Sequence, residues 1–256
     1  MLAAGVIPLL EEMISNPNSH GSATALYLNL TLLEEGKHIV GSSQAVSFLT
    51  EVLRANPEPL CKLDALHALF NLSTLPSNIP NLLSAGIISG LQSLLAAPGD
   101  HTWTEKVVAV LINLASSQSG KDDMVSTPGL ISRLSSILDI GEAVEQEHAA
   151  SCLLILCNGN DKCSQMVLQE GVIPALVSIS VNGTSRGKEK AQKLLMLFRE
   201  QRQRDQPPTE MQRAESSRNS MSAPESNPLC KSISRRKMGK AFSFLWKSKN
   251  YSVYQC

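Results

Sequence analysis

The sequence predicts an all-α chain whose first 200 residues fold as a solenoid of about five stacked helical repeats, and three observations carry the prediction. Asn29, Asn71 and Asn113 recur 42 residues apart inside one local text: Ala25-Leu26-Tyr27-Leu28-Asn29-Leu30-Thr31, Ala68-Leu69-Phe70-Asn71-Leu72-Ser73 and Val110-Leu111-Ile112-Asn113-Leu114-Ala115. About two dozen residues upstream of such texts stands a glycine followed by an apolar pair, as in Ala85-Gly86-Ile87-Ile88 and Pro128-Gly129-Leu130-Ile131. Apolar residues keep helical spacing, and strand-like alternation is nowhere sustained. A fixed period of this length marks units that cannot cover their own apolar face and must stack to bury a continuous core.

Ala4-Gly5-Val6-Ile7-Pro8 reads as the first turn, so Met1 opens inside a repeat, without the short helix that precedes the glycine elsewhere. A truncated, alternatively started or incompletely defined chain is expected from that. In the second unit Gln44-Ala45-Val46 takes the place of the glycine. In the third, Gly86 tolerates the positive φ of a sharp helix-to-helix turn. Ile87, Ile88, Leu91, Leu94 and Leu95 then follow helical spacing, as do Val107, Val110, Leu111 and Leu114 in the next helix. The fourth unit opens at Gly129 and reaches Ile155 in Cys152-Leu153-Leu154-Ile155-Leu156-Cys157; the fifth opens at Glu170-Gly171-Val172-Ile173-Pro174 and reaches Leu197. In these two the apolar frame persists while the asparagine is lost.

Composition narrows the function. Of 256 residues, 43% are hydrophobic but only 4% aromatic, so aliphatic side chains fill the interior and a sugar-binding or base-stacking surface is disfavoured. Apolar runs such as Val107 to Ile112 fall far short of the roughly 18 residues a bilayer span requires, and no basic n-region precedes an apolar stretch. The chain reads as neither transmembrane nor secreted. Its formal charge of zero hides an asymmetry: residues 1–225 hold 16 basic and 23 acidic side chains, whereas residues 226–256 hold seven basic ones and no acid. An acidic body with a basic tail argues against non-specific nucleic-acid binding by the body. The six cysteines show no CxxC spacing, which fits free thiols in a reducing compartment.

The Gly-Val-Ile-Pro turn and the Ala-Leu-x-Asn-Leu helix resemble armadillo repeats, over about residues 1–200. The resemblance sharpens in the last unit, Glu170-Gly171-Val172-Ile173-Pro174-Ala175-Leu176-Val177 through Gly183-Thr184-Ser185-Arg186-Gly187-Lys188-Glu189-Lys190-Ala191, which is similar to the closing repeat of plant U-box armadillo proteins. Gly41-Ser42-Ser43-Gln44-Ala45-Val46 and Cys61-Lys62-Leu63-Asp64-Ala65-Leu66 are similar to that family too. The resemblance implies a right-handed α-solenoid and an E3 ubiquitin ligase, in which a U-box recruits the ubiquitin-loaded E2 and the array selects the protein substrate. No position here matches the E2-contacting motif, so E2 and ubiquitin are expected only through a U-box outside this chain, and the isolated chain is expected to be inactive. The alternative is a non-catalytic armadillo adaptor, or a truncated competitor of the full ligase.

Asn29, Asn71, Asn113 and His67 are the candidate groove residues. One Asn amide supplies both a donor and an acceptor to an extended peptide backbone. In karyopherin-type arrays, which grip peptides this way, a Trp stands four residues earlier; here Ala25, His67 and Ala109 stand there, which disfavours nuclear-signal recognition. The competing role is structural, with each Asn satisfying backbone or inter-repeat hydrogen bonds, and the two roles are compatible.

Other motifs fall away. Asn29-Leu30-Thr31 and Asn71-Leu72-Ser73 match a glycosylation pattern but lie on the packed helix, and Asn182-Gly183-Thr184 lacks a secretory context. Gly183 to Lys188 has the wrong spacing for a phosphate loop. His148 and Cys152 stand four apart, yet Cys157 and Cys163 do not complete a standard metal set. No metal, cofactor, catalytic residue or specific nucleic-acid site is expected.

Residues 201–229 read as a disordered linker by composition, and 230–256 as a basic amphipathic tail. Met238, Ala241, Phe242, Leu245 and Trp246 form one helical stripe beside Lys240 and Lys247. Arg235, Arg236, Lys237, Lys240, Phe242 and Trp246 are therefore candidates for contact with a membrane surface or anionic partner, against a nuclear-import patch or an inert tail. The terminal Cys256 lies in no C-a-a-X box, which excludes prenylation. A cytoplasmic or nuclear location is expected, with peripheral membrane attachment through the tail.

Overall fold

The computed structural model describes residues 3–55, 58–96 and 103–205, and all regular structure among them is helical. The helices fall into five successive groups. The first holds α1 (Ala3–Ile14) and α2 (His20–Leu30), joined through a 3-10 turn at Pro17–Ser19. The second holds α3 (Glu34–Gly41), α4 (Ala45–Ala55) and α5 (Pro59–Ser73). The third holds α6 (Ile79–Ser84), α7 (Ile87–Leu95) and α8 (Thr104–Leu114), and the fourth α9 (Gln118–Ser126), α10 (Leu130–Ile140) and α11 (Ala143–Cys157). The fifth holds α12 (Asp161–Gln169), α13 (Ile173–Asn182) and α14 (Ser185–Asp205). Each complete group is thus a short helix followed by the expected hairpin. The tail residues Arg235, Arg236, Lys237, Lys240, Phe242 and Trp246 lie outside the described residues.

Local chemistry places the boundaries. Gly86, Gly129 and Gly171 adopt φ of 72°, 78° and 73°, so each closes a short helix in the left-handed region and lets the next begin at once. Gly5 departs from this expectation: it lies inside α1, which starts at Ala3 and carries Pro8 within it. The left-handed residue is needed where the chain turns out of one helix into another, and no described helix precedes Gly5. Two of the short helices, α9 and α12, start on polar caps, Ser117 Oγ accepting from the Gly120 amide at 3.0 Å and Asn160 Oδ1 from the Cys163 amide at 2.9 Å.

The last helices of successive groups, α2, α5, α8, α11 and α14, stack side by side, and α4 packs on α7 as α10 packs on α13. Leu49, Leu53, Leu66, Leu69, Leu72, Leu91, Leu111 and Leu114 lie fully buried between the two rows. Removing one such side chain to Ala costs about 2–5 kcal/mol in lost transfer energy and cavity. Polar side chains then fix the stacking register. Asn78 donates to the Lys37 carbonyl at 3.1 Å and the Leu72 carbonyl at 3.2 Å, while Asn81 donates to Gly41 at 2.8 Å. Gly41 has to be small here, since a Cβ would stand 2.3 Å from Asn78 Oδ1. On the second-helix row, Arg54 donates to the Gly86 carbonyl at 2.6 Å and Gln92 to the Pro128 carbonyl at 2.7 Å. Both turns are thereby tied to the preceding group.

Candidate functional site

The 42-residue period puts equivalent positions of α2, α5, α8, α11 and α14 on one surface stripe. Asn29, Asn71, Asn113, Ile155 and Leu197 form its central column, none of them fully buried. One turn earlier stand Ala25, His67, Ala109, Ser151 and Lys193. The four candidate groove residues therefore share a face.

Their bonding differs along it. Asn71 Nδ2 donates to Thr31 Oγ1 at 3.2 Å, and Asn113 Nδ2 donates to Ser73 Oγ at 2.9 Å. Each receiving hydroxyl sits two residues after the preceding Asn. It spends its own hydrogen on a carbonyl one turn back, Thr31 on Leu28 at 2.8 Å and Ser73 on Phe70 at 2.7 Å. A hydroxyl donates once and accepts through its lone pairs, so the chain Asn amide to hydroxyl to backbone is chemically consistent. Asn29 instead donates to Ala25 in its own helix at 2.8 Å. The ladder stops after Asn113, where Ile155 and Leu197 pack against the core. Among the described residues, one amide hydrogen and the side-chain carbonyl of Asn71 and of Asn113 have no partner, and both side chains are half-buried.

His67 lies one turn before Asn71, and its pKa is lowered, first by burial and then by the Lys106 charge, with Asp64 opposing. Lys106 Nζ stands 4.3 Å from the centroid of the Phe70 ring, a cation–π contact across the α5–α8 junction. Phe70, Thr31 and Ser73 stand in the sequence only as parts of the repeat texts, and nothing there singles out Lys106. A Ser or Thr near a helix C-terminus is unremarkable in sequence, and Lys106 meets His67 only through stacking. At the far end of the stripe an open depression of about 440 Å³ is lined by Leu154, Cys157, Asp161, Lys193, Met196 and Leu197.

The buried thiols come together more than their spacing suggested. Cys157 Sγ and Cys163 Sγ are 3.8 Å apart, and Cys61 and Cys152 are also free and buried. The contact with Cys163 and then burial push the Cys157 thiol far up, and burial, with Cys163 adding, pushes Cys152 up to about 12. Protonated, enclosed thiols are poor nucleophiles and poor ligands. Among the described residues no group of three or more His, Cys, Asp or Glu side chains is placed to hold a metal, and no single helix is long and apolar enough to cross a membrane.

Comparison with known proteins agrees with the geometry. Residues 2–210 match the model of the plant U-box protein ARM repeat region. U-box domain-containing protein 45 of Arabidopsis thaliana is 61% identical over 264 residues, covering 100% of this chain and 34% of its own length. U-box domain-containing protein 7 of the same plant is 60% identical over 274 residues, covering 99% of this chain and 35% of itself. The chain thus spans about a third of the length of the curated relatives it matches. Among solved structures, computationally designed armadillo repeat proteins for modular peptide recognition superpose with a TM-score of 0.66 at 21% identity, over 74% of this chain and 80% of theirs. A designed armadillo repeat protein in complex with peptide (KR)4 gives 0.64 at 21% identity, over the same 74% and 80%. These two show the fold, an armadillo α-solenoid.

Proposed function

We propose, from the premise that the chain belongs to the plant U-box armadillo-repeat family, that it is the substrate-recognition part of a U-box E3 ubiquitin-protein ligase. The single observation carrying this reading is the stripe, where Asn71 and Asn113 are positioned by the previous repeat and still have donor and acceptor capacity to spare. An extended protein segment presents backbone N–H and C=O groups with nothing to satisfy them, and an Asn amide matches both at once. The designed neighbour with a bound peptide is an armadillo fold as well, which supports a protein segment as the occupant.

In this reading the array does no covalent chemistry. It holds a target so that a lysine stays near the E2-bound thioester, raising its effective concentration, while a U-box outside this sequence recruits the E2. By itself, the array would bind the same targets without marking them and so compete with the whole ligase. Ubiquitin-remnant mass spectrometry tests the reading in cells carrying either the whole ligase or a version without residues 1–205. The expected result is that a set of substrate lysines disappears while self-modification persists. An unchanged substrate set would refute it.

A further inference from the structure

We infer that the groove takes an extended segment bearing acidic side chains, with Lys106 and His67 reading a carboxylate between Asn71 and Asn113. The inference rests on the groove reading above and adds the chemistry of the occupant.

Its starting point is the charge map. Residues 1–205 carry 20 acidic and 14 basic side chains, so the array as a whole is acidic. The groove stripe runs the other way. Two turns before the Asn column stand Ser22, Asp64, Lys106, His148 and Lys190, and one turn before it Lys193 and His67 join them, all outside the buried core. Asp64 is the one carboxylate in those two columns. Lys106, Lys190 and Lys193 thus place positive charge on the stripe of an otherwise acidic array, with Lys193 already paired to Glu189.

Lys106 is the sharpest case. Among the described residues the ion pairs are Lys37 with Glu34, Arg54 with Glu51 and Lys193 with Glu189, so Lys106 has no carboxylate partner. It is held over the Phe70 ring at 4.3 Å instead, which fixes the ammonium while leaving its hydrogens available. The field of that ammonium already reaches His67. The Lys106 ammonium, the His67 imidazole as a ring N–H donor and two half-used amides thus converge on the junction of α5 and α8, and a carboxylate is the side chain that accepts from all of them. A basic segment would bring like charge to Lys106 and be repelled.

The test uses three fluorescent peptides of one length, (Glu-Val)4, (Gln-Val)4 and (Lys-Val)4, titrated against the purified chain up to about 1 mM protein. The expected order is Glu tighter than Gln tighter than Lys, with the Glu-to-Gln ratio about fivefold and shrinking in added salt. Lys106→Gln should erase most of that ratio, and Lys106→Glu should reverse the order of the Glu and Lys peptides. Asn71→Ala with Asn113→Ala should weaken all three by one common factor. Equal binding of the three peptides, or a ratio unmoved by both Lys106 variants, overturns the inference and leaves the groove reading standing. Binding of none of them, or binding untouched by the double Asn variant, overturns both. Lys106 is partly exposed, and circular dichroism of each variant verifies that its fold is retained.

Discussion

Asn113→Ala separates a structural from a recognition role, because its two effects differ in size. The side chain donates to Ser73 Oγ at 2.9 Å, and such a hydrogen bond contributes about 1 kcal/mol net. Ser73 keeps its own bond to the Phe70 carbonyl, so its hydroxyl is not stranded by the change. Ala also outranks Asn in helix propensity by about 0.6 kcal/mol, which offsets more than half of the loss. The expected destabilisation is therefore only about 0.5 kcal/mol. Binding should suffer more. The variant loses the remaining amide hydrogen and the carbonyl that face the occupant, about 1–2 kcal/mol together, or roughly 5- to 30-fold in affinity. Urea unfolding gives the first number and peptide anisotropy under fully folded conditions gives the second. Coupling between Asn113→Ala and Ser73→Ala should be about 0.5–1 kcal/mol in stability. A stability loss above about 2 kcal/mol with unchanged affinity would refute the reasoning and make the ladder purely structural.

Other expectations follow from individual contacts. Leu111→Ala, fully buried in α8, should lower unfolding free energy by about 2–5 kcal/mol in the same urea assay. Gly129→Ala forces a Cβ residue to φ 78° and should cost about 1–2 kcal/mol, whereas Gly5→Ala, inside α1, should stabilise slightly. Cys61, Cys152, Cys157 and Cys163 should resist alkylation in the native state and react on unfolding, as read by peptide mass spectrometry. Cys152 and Tyr27 are both pushed up to about 12 by burial, from ordinary values of 9.0 and 10.0, so the folded form holds these protons longer than the unfolded one. The stability they contribute is complete below those unfolded values and is lost as pH rises through about 9 to 12, which urea midpoints against pH will show. His67 should titrate below the usual histidine range by NMR and move upward in Lys106→Gln, because one of the two lowering causes is then removed.

Much of this architecture is legible in sequence because its causes are local. Gly86 and Gly129 announce their turns, since few other residues tolerate the left-handed region followed at once by a helix. The apolar spacing of Ile87, Ile88, Leu91 and Leu94 fixes the buried face of α7. Gly5 carries the same text yet lies within α1. The Asn column is legible through its period. Its partners Thr31 and Ser73 are not, because a hydrogen bond between residues 40 apart exists only once the repeats stack in register. Lys106 is hidden for the same reason: its neighbours His67 and Phe70 belong to the preceding group. Ile155 and Leu197 show in sequence that the ladder ends, while the depression beside Leu197 depends on how α11, α12 and α14 meet.

Selection of protein substrates for a ligase by this stripe, as proposed above, is open to test in one reconstituted reaction. The whole U-box product with Asn71→Ala and Asn113→Ala is compared with the parent, scoring substrate ubiquitination and self-ubiquitination in the same tube with E1, E2 and ubiquitin. Substrate ubiquitination should fall by roughly tenfold or more, from about 1.4 kcal/mol or more of lost contact, while self-ubiquitination holds its rate. Substrate ubiquitination at the parental rate, or a parallel fall in both, would contradict it.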